Sequence, residues 1–327
     1  MLRLLAAIAL IATSRAAPAE PPKGAVLLVG NKGEDTLSFV DLASGKELGR
    51  SATGKAPHEI AVSPDGRIAA VVAYGGKTVD LFNIASRKKL KTIDLSPNAG
   101  PHGIVWLGDG RLVVTTERSQ SLAIVDPQAG KVSATIKTDQ QGTHMVAVTR
   151  DGARAYTANI GAGTVSVIDL AAKAKLRDVA VGGKPEGIAL SVDEKTLWVA
   201  DLDGKRVLAF DTVSFARLAA VPTGAVPIRV AASPDGKWIV TSNVMGGSLT
   251  VIDAASRVKV REVVVSGLPQ AGQVTILFSP DGSRLYAAET GSDQVAEVEL
   301  ASGKVLRRLP AGTNGDGLAI AGWPTAR

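Results

Sequence analysis

The sequence has 327 residues and a formal net charge of +6, and hydrophobic residues make up 45% of it whereas aromatic residues make up only 4%. Cysteine is absent, which excludes disulfides, thiolate metal sites and cysteine nucleophiles. The positive charge is mild and comes without the aromatic residues that stack on bases, so a nucleic-acid partner is not expected.

The N-terminal segment predicts a secretory leader. Met1-Leu2-Arg3 is followed by an apolar run from Leu4 to Ala12 and then by Ala17-Pro18-Ala19. A short positive region, an apolar region and a small-x-small site are the parts of a cleavable signal peptide, and the apolar run is shorter than the roughly 20 residues of a membrane-spanning helix. We therefore expect a signal peptide over residues 1–19, an extended lead-in over residues 20–24, and a periplasmic or secreted protein without a membrane span.

One segment recurs along the rest of the chain. Its first copy is Pro57-His58-Glu59-Ile60-Ala61-Val62-Ser63-Pro64-Asp65-Gly66-Arg67, and the later copies keep the apolar run and most of the Asp-Gly turn. The second residue of each copy falls at positions 58, 102, 144, 186, 228, 274 and 316, so the copies lie 42 to 46 residues apart. A nearly fixed period of this length indicates a propeller or a solenoid.

The third unit shows what lies between the copies. Thr143 to Thr149 and Arg154 to Ala158 are mainly apolar, Thr164 to Asp169 alternates between polar and apolar residues, and Lys175 to Val181 closes the unit. An Asp-Gly turn and a Gly-rich loop separate these segments. Four short strands without a helical stretch are the pattern of one propeller blade.

The two ends of the chain share a blade in this prediction. The last copy supplies a single strand, Gly317 to Ala321. The N-terminal region supplies the three strands that are missing there: Ala25 to Gly30, Thr36 to Asp41 and Lys46 to Ser51. Pairing them closes the ring and removes an open sheet edge. We predict an all-β, seven-bladed β-propeller of four-stranded antiparallel blades over residues 25–323, followed by a tail over residues 324–327.

All three histidines of the chain occupy the second position of the repeat, in three consecutive units. The residues at this position form what we call the inner set: His58, His102, His144, Glu186, Ile228, Val274 and Asp316. The predicted strand direction places them at one mouth of the central channel, where closed β folds commonly bind ligands. Three imidazoles flanked by two carboxylates suit a transition ion such as Zn or Cu. Tandem duplication is the alternative, because it copies a residue whether or not the residue has a task.

The second strand of each unit is predicted to end on the same face as the inner set. These end residues form the outer set: Asn31, Tyr74, Glu117, Asn159, Asp201, Asn243 and Glu289. The three acids among them can bind a cation or act as acid and base, with complementary charges nearby on Arg118, Glu59 and Arg229. Asn and Asp also begin loops well, so a purely structural role is the alternative for this set.

Basic residues concentrate in or just before the fourth strand of several units, as in Arg87-Lys88-Lys89 and Arg307-Arg308. Lysines on an outer strand protect its edge against pairing with another chain. A basic rim that contacts an anionic polymer is the alternative. No G-x-S-x-G, H-E-x-x-H or G-x-G-x-x-G motif occurs, so the sequence gives no support to a serine hydrolase, a zinc protease or a dinucleotide-binding fold.

The units resemble the YVTN-type β-propeller repeat. The resemblance rests on Pro57 to Arg67, on Arg-Ala-Tyr-Thr-Ala-Asn at 154–159 and on Thr-Val-Ser-Val-Ile-Asp at 164–169, and it covers the chain from about Gly24 to Trp323. It implies an exported seven-bladed propeller, similar in architecture to the heavy chains of quinoprotein amine dehydrogenases and to the d1-haem domain of nitrite reductase. Lactonases and a streptogramin lyase have similar propellers, but no catalytic motif of theirs is matched here. The dense histidine cluster of nitrous oxide reductase is also missing.

Three functions follow as hypotheses. The first is an exported binding protein whose channel mouth holds a metal ion or small ligand through His58, His102 and His144, assisted by Glu186 and Asp316. The second is a metal-assisted hydrolase or lyase of lactonase type, with His144 and Glu117 as candidate catalytic residues. The third is a protein-interaction scaffold in which the histidines have no remaining role.

Overall fold

The computed structural model of the protein describes residues 20–324. The signal peptide predicted over residues 1–19 lies outside the described residues, as does all but the first residue of the predicted tail, so both stay predictions. The described chain forms seven four-stranded antiparallel sheets, which pack side by side as the blades of a ring. The predicted all-β, seven-bladed propeller is confirmed.

Every blade is built from short strands, most of them six residues long. Blades 1 to 3 contain β1 (Val26–Asn31), β2 (Thr36–Asp41) and β3 (Glu47–Ala52); β4 (Pro57–Val62), β5 (Ile68–Ala73), β6 (Thr78–Asn83) and β7 (Lys88–Asp94); and β8 (Pro101–Trp106), β9 (Leu112–Thr116), β10 (Ser121–Asp126) and β11 (Lys131–Lys137). Blades 4 and 5 contain β12 (Thr143–Val148), β13 (Arg154–Asn159), β14 (Thr164–Asp169) and β15 (Ala174–Ala180); and β16 (Pro185–Leu190), β17 (Thr196–Asp201), β18 (Arg206–Asp211) and β19 (Arg217–Pro222). Blades 6 and 7 contain β20 (Pro227–Ala232), β21 (Trp238–Asn243), β22 (Ser248–Asp253) and β23 (Val258–Val264); and β24 (Gln273–Phe278), β25 (Arg284–Glu289), β26 (Gln294–Glu299) and β27 (Lys304–Pro310). The final strand, β28 (Gly315–Ala321), belongs to blade 1.

Helical structure is limited to three single 3-10 turns within the described part of the chain: Glu117–Ser119, Pro269–Ala271 and Thr290–Ser292. All three lie on the face that carries the channel mouth. None of the helices between residues 20 and 324 has the length and apolar character that crossing a membrane requires.

The ring closes in blade 1, where the C-terminal strand β28 is the innermost strand. It pairs antiparallel with β1, with Leu27 opposite Ile320 and Leu28 opposite Ala319. Arg307 in blade 7 adds a second connection, because its guanidinium donates to the backbone oxygens of Leu42 and Ala43 in blade 1. The predicted exchange of strands between the two ends of the chain is therefore confirmed.

The hydrophobic core lies between blades and is divided into seven clusters, most of which combine residues of two neighbouring blades. Valine, isoleucine, leucine and alanine fill most of it, as the composition predicts. The largest fully buried side chains are Trp198, Tyr156 and Tyr286, which occupy equivalent places in the second strands of three blades. Small residues such as Ala61, Ala147 and Ala319 line the innermost strands, where the blades converge.

An irregularity recurs in the innermost strand of every blade and aims the inner set at the channel. In blade 2, Pro57 pairs with Ala73 and Ile60 pairs with Val71, so that His58 and Glu59 together face a single residue of β5. A bulge of this kind re-aims side chains and is common beside functional sites. The backbones are crowded here, since a Cβ added at Gly317 would lie 1.9 Å from the carbonyl oxygen of His58.

Cations on the fourth strands connect neighbouring blades. Lys91 Nζ lies 3.0 Å from the backbone oxygen of Gln128 in blade 3, and the guanidinium carbon of Arg177 lies 5.0 Å from the ring centre of Phe215 in blade 5. Arg261 donates to the backbone oxygens of Leu300 and Ala301 in blade 7, and Arg307 makes the equivalent contact with blade 1. These four residues occupy the same position opposite the third strand. They therefore hold the ring together, a role that the sequence did not suggest.

Candidate functional site

The three histidines point into one space at the channel mouth and contact each other. The ring centroids of His58 and His102 lie 4.3 Å apart in an edge-to-face arrangement, and those of His102 and His144 lie 3.6 Å apart with the planes tilted by 36°. Because side chains alternate between the two faces of a strand, the sequence did not decide whether these side chains point into the channel or towards a neighbouring blade. The bulges described above place all three on the channel side.

His144 is held between two carboxylates. Its Nδ1 lies 2.8 Å from Glu117 Oε2, and its Nε2 lies 3.0 Å from Glu186 Oε1. A ring nitrogen must donate to reach a carboxylate oxygen, so two such contacts require the doubly protonated imidazolium. Burial on its own would lower the pKa of His144, but the bonds to Glu117 and Glu186 outweigh it and raise the pKa to about 9.

His58 and His102 have the opposite electrostatic character. Burial lowers the pKa of His58 to about 4, although the nearby carboxylate of Asp316 opposes this effect. Burial also lowers the pKa of His102 well below its usual value, and the positive charge of His144 adds to the effect. The mouth thus combines two neutral imidazoles with one imidazolium at neutral pH.

Arg229 forms the floor beneath the imidazoles. It is buried, and it donates from one terminal nitrogen to Glu186 in blade 5 and from the other to Glu59 in blade 2, at 2.7 Å in the second case. Burial would lower its pKa, but the carboxylates of Glu186 and Glu59 outweigh this and raise it. Since Glu186 also binds His144, one chain of contacts crosses the channel from Glu59 to Glu117. Arg229 therefore fixes the orientation of the carboxylate that holds His144.

Asp316 closes the other side of the histidine arc. Its carboxylate lies 2.8 Å from Lys32 Nζ and accepts a hydrogen bond of 2.9 Å from Thr275, while His58 Nδ1 lies 3.5 Å away. Burial would raise its pKa, but the attraction to His58 when that ring is protonated, together with the positive charge of Lys32, outweighs burial and holds the pKa well below its usual range. Lys32 directly follows the outer-set residue Asn31, and the repeat pattern did not mark it as part of the mouth.

Tyr74 extends the imidazole arc outward. Its ring stacks on His58 with centroids 5.2 Å apart, and the guanidinium carbon of Arg118 lies 5.0 Å from the ring centre on Tyr74. Burial raises the pKa of the Tyr74 hydroxyl, and the charge of Glu117 adds to it. The outer-set residues Tyr74 and Glu117 are thus part of the mouth.

The remaining five outer-set residues make contacts that fix loops and strands. Asn31 donates to Thr36 and Ser38 and accepts from the backbone of Gly312, and Asn159 donates to Thr164 and Ser166. The other three are bonded in similar ways: Asn243 to Ser248 and Thr250, Asp201 to Arg206 and the backbone of Gly204, and Glu289 to Arg308. These contacts agree with the structural alternative for this part of the outer set.

Several buried polar atoms at the mouth have no hydrogen-bonding partner among the described residues. They are Nδ1 of His58, Nδ1 of His102, Oε2 of Glu186 and Nε of Arg229. Buried polar atoms in proteins are nearly always satisfied, so a cluster of exceptions calls for an explanation such as a bound molecule or ion. Ile228 and Val274 complete the inner set as partly exposed aliphatic residues on the far rim.

The three-histidine metal hypothesis finds no ready-made geometry. Among residues 20–324, no group of three or more His, Cys, Asp or Glu side chains is arranged to hold a metal ion. Both ring nitrogens of His144 face carboxylates, which leaves His58 and His102 as available imidazoles. The transition-metal site on His58, His102 and His144 therefore stays a prediction.

A comparison with protein-family models matches residues 23–196, more than half of the chain, to the YNCE-like beta-propeller model. The chain belongs to the YNCE-like beta-propeller family. The matched part contains the three histidines together with Glu117 and Glu186. The β-propeller family expected from the repeat is thereby confirmed, whereas export stays a prediction.

A second family model overlaps the first and covers the other half of this YNCE-like propeller. Residues 174–316 match the model of the seven-bladed beta-propeller lactonases. This part contains Glu186, Arg229 and Asp316 but no histidine. The two matches overlap over residues 174–196, and this overlap contains Glu186, the residue that links His144 to Arg229.

Three of the solved structures with the same fold are described below. Kuenenia stuttgartiensis hydrazine synthase is 20% identical, with a TM-score of 0.76 over 90% of this chain and 99% of that one. The dihydro-heme d1 dehydrogenase NirN, in complex with DHE, is 14% identical, with a TM-score of 0.68 over 93% of this chain and 77% of that one. A functionally unknown protein from Desulfotomaculum acetoxidans is 17% identical, with a TM-score of 0.75 over 90% and 98%. The comparison with curated proteins gave no significant match. At these identities the similarity shows the fold alone.

Proposed function

We propose that this propeller is a binding protein that takes a small, uncharged organic ligand at the channel mouth, on the imidazoles of His58 and His102. The observation that carries the proposal is the pair of buried Nδ1 atoms on these two rings, neither of which makes a hydrogen bond to a described residue; the Asp316 carboxylate is 3.5 Å from that of His58. A ligand that supplies hydrogen-bonding groups to them would remove the cost of leaving them unpaired.

Charge balance supports an uncharged ligand. The mouth and its floor carry four carboxylates, on Glu59, Glu117, Glu186 and Asp316. Four cations oppose them: Lys32, Arg118, Arg229 and the imidazolium of His144. Because most of these charges are already paired with one another, a charged ligand would disrupt an existing ion pair and gain little in return.

Native mass spectrometry tests the proposal on protein isolated from expressing cells without a histidine tag. We expect a retained mass on the wild-type protein that is missing from the His58→Ala/His102→Ala variant and present on Arg111→Ala, a control on the opposite face. A retained organic mass supports the organic ligand, whereas a mass equal to Zn or Cu supports the metal. Two results together would contradict binding at these residues. The wild-type protein would carry no retained mass, and Zn²⁺, Cu²⁺ and γ-butyrolactone would stabilise it no more than they stabilise the double variant.

An enzyme of lactonase type is the second candidate, and the match of residues 174–316 to the lactonase model is what favours it. The charged state of His144 suits a proton donor or a group that stabilises developing negative charge, because an imidazolium has no lone pair with which to act as a base. Hydrolysis of γ-butyrolactone that disappears in His144→Ala would support this candidate. If the protein binds γ-butyrolactone without hydrolysing it, the result supports a binding protein and not an enzyme.

Export to the periplasm or the medium forms part of the same proposal, and it rests on the predicted leader. Expression of the full-length chain, with the N-terminal residue of the mature protein determined by mass spectrometry, tests it. Cleavage before Glu20 is the expected result, and an intact N-terminus in the cytoplasm would contradict it.

A further inference from the structure

Blade 6 departs from the repeat at three separate places, and each departure introduces an apolar residue. The residue two before the inner set is Val226 here, whereas the other blades have Ala56, Gly100, Gly142, Lys184, Gly272 and Asn314. The residue two after the outer set is Met245, whereas the other blades have Gly33, Gly76, Ser119, Gly161, Asp203 and Gly291. The third departure is the longer connector to blade 7, which contributes Leu268.

These residues lie on the mouth face, and several of them are open to solvent. Met245 is 51% exposed and Leu268 is 50% exposed, while Val226 and Val244 are half-buried. Exposed apolar residues are ordinary when they are scattered. Here they are concentrated in one blade, next to the two aliphatic residues of the inner set.

Backbone contacts bring the segments that carry these apolar residues together along a line that runs from the channel rim outward. Val226 lies two residues before Ile228, and its carbonyl oxygen accepts a 3.0 Å hydrogen bond from the backbone of Val244. The loop that carries Met245 then reaches Gly247, whose carbonyl oxygen accepts from Val265, Ser266 and Gly267, just before Leu268. Val274 joins this line through the bond from Ser242 Oγ to its backbone oxygen. We call these residues the apolar strip: Ile228, Val226, Val244, Met245, Leu268 and Val274.

We infer that the apolar strip holds the aliphatic chain of the ligand whose polar head binds the imidazoles, so that the ligand of this propeller is an uncharged amphiphile. The inference rests on the proposed function and adds the chemical class of the ligand. The strip begins at the rim opposite His58 and His102, which gives a molecule at the mouth a polar side and an apolar side. A protein partner fits less well, because a stable protein interface uses about 20 to 30 residues on each side and this strip is a few residues wide.

A homologous series of γ-lactones tests the inference: the parent γ-butyrolactone and its ethyl, butyl and hexyl derivatives, with affinity measured by calorimetry. Burial of a methylene group favours binding by an amount that corresponds to about a twofold to fourfold gain in affinity per carbon, depending on how completely the strip covers it. We expect that gain in the wild-type protein and a loss of most of it in Met245→Ser and Leu268→Ser. Val213→Ser is the matched control, since Val213 is 84% exposed in a turn on the opposite face.

The outcomes separate the inference from the proposed function. If the affinity does not depend on the chain length of the lactone, the inference of an amphiphilic ligand is overturned, whereas the proposal that a small polar ligand binds the histidines still stands. If no lactone of the series binds, the inference is also overturned. The proposed function is then tested separately, by the native mass spectrometry of the wild type and the His58→Ala/His102→Ala variant. A dimer in light scattering that dissociates in Leu268→Ser would assign the strip to a second copy of the chain and overturn the inference as well.

Discussion

The inner and outer sets of the channel mouth come from the same repeat and yet differ in how their polar atoms are used. In the outer set, the side-chain amides of Asn31 and Asn159 donate hydrogen bonds to Thr and Ser side chains at the start of the next strand. His58 and His102, in the inner set, keep buried ring nitrogens without a partner. In a duplicated structure, the repeat position therefore identifies candidates, whereas the satisfaction of hydrogen bonds separates scaffold from site.

The largest expected effect lies at the floor of the inner set. Arg229→Met leaves the buried carboxylate of Glu59 without its cation and removes one of the two cations that contact Glu186, which costs about 3 to 5 kcal/mol of unfolding free energy. Urea denaturation measures this loss. Adding Glu59→Gln and Glu186→Gln to the same variant is expected to restore part of it, because it removes the unpaired charges. A loss below about 1 kcal/mol would show that solvent reaches the floor.

The outer set offers a matched pair of asparagines. Asn31 uses its amide nitrogen and its carbonyl oxygen, whereas Oδ1 of Asn243 has no partner among residues 20–324. Each buried polar group left unsatisfied costs about 1 to 3 kcal/mol, so Asn31→Ala should destabilise the protein by about 2 to 4 kcal/mol and Asn243→Ala by less. Thermal or chemical unfolding gives the two values. Equal losses would mean that the bond from Gly312 to Asn31 does not contribute.

The pH dependence of stability distinguishes two histidines within the inner set. The folded-state pKa of His144, about 9, lies above its unfolded value of about 6.5. Its contribution to the free energy of unfolding is therefore complete below the unfolded pKa and is lost as the pH rises through about 9. The wild type should lose on the order of 3 kcal/mol relative to His144→Gln between pH 6 and pH 10. His58 has the opposite sign, since its folded pKa of about 4 lies below the unfolded value. Its contribution is lost as the pH falls from about 6.5 towards 4.

Urea denaturation across the pH range checks both signs. For His58, the matched comparison is the wild type against His58→Gln between pH 7 and pH 4. Parallel curves for the wild type and His144→Gln above pH 7 would show that His144 is not held as an imidazolium.

The smallest expected effect on stability belongs to His102. Its Nδ1 is buried and unpartnered, so His102→Phe removes an unsatisfied group and keeps an aromatic ring, and the unfolding free energy should change by no more than about 1 kcal/mol. Retention of the bound mass should nevertheless fall to the level of the double histidine variant. If His102→Phe lowers the unfolding free energy strongly and leaves retention of the bound mass unchanged, then His102 stabilises the fold and does not bind the ligand.

Much of the architecture follows from the sequence because it is determined locally and then repeated. Alternating apolar strands and Asp-Gly turns predict four strands per unit, and the incomplete last unit predicts closure through the N-terminal strands, which the pairing of Val26 with Ala321 confirms. The shared repeat position of the histidines predicts that they meet. The structural alternative for Asn31, Asn159 and Asn243 was also available from the sequence, since Asn is favoured where a strand ends and a loop begins.

The period, the number of blades and the face on which the histidines gather can be predicted from the sequence, because each of these depends on patterns within one unit. Which polar atoms are satisfied depends on the closed ring, because the partners come from different blades. Arg229 and Glu59 are 170 residues apart and meet only when the ring has closed. The same closure places Lys32 beside Asp316 and His144 between Glu117 and Glu186, so that one histidine of the mouth is positively charged while the other two are neutral.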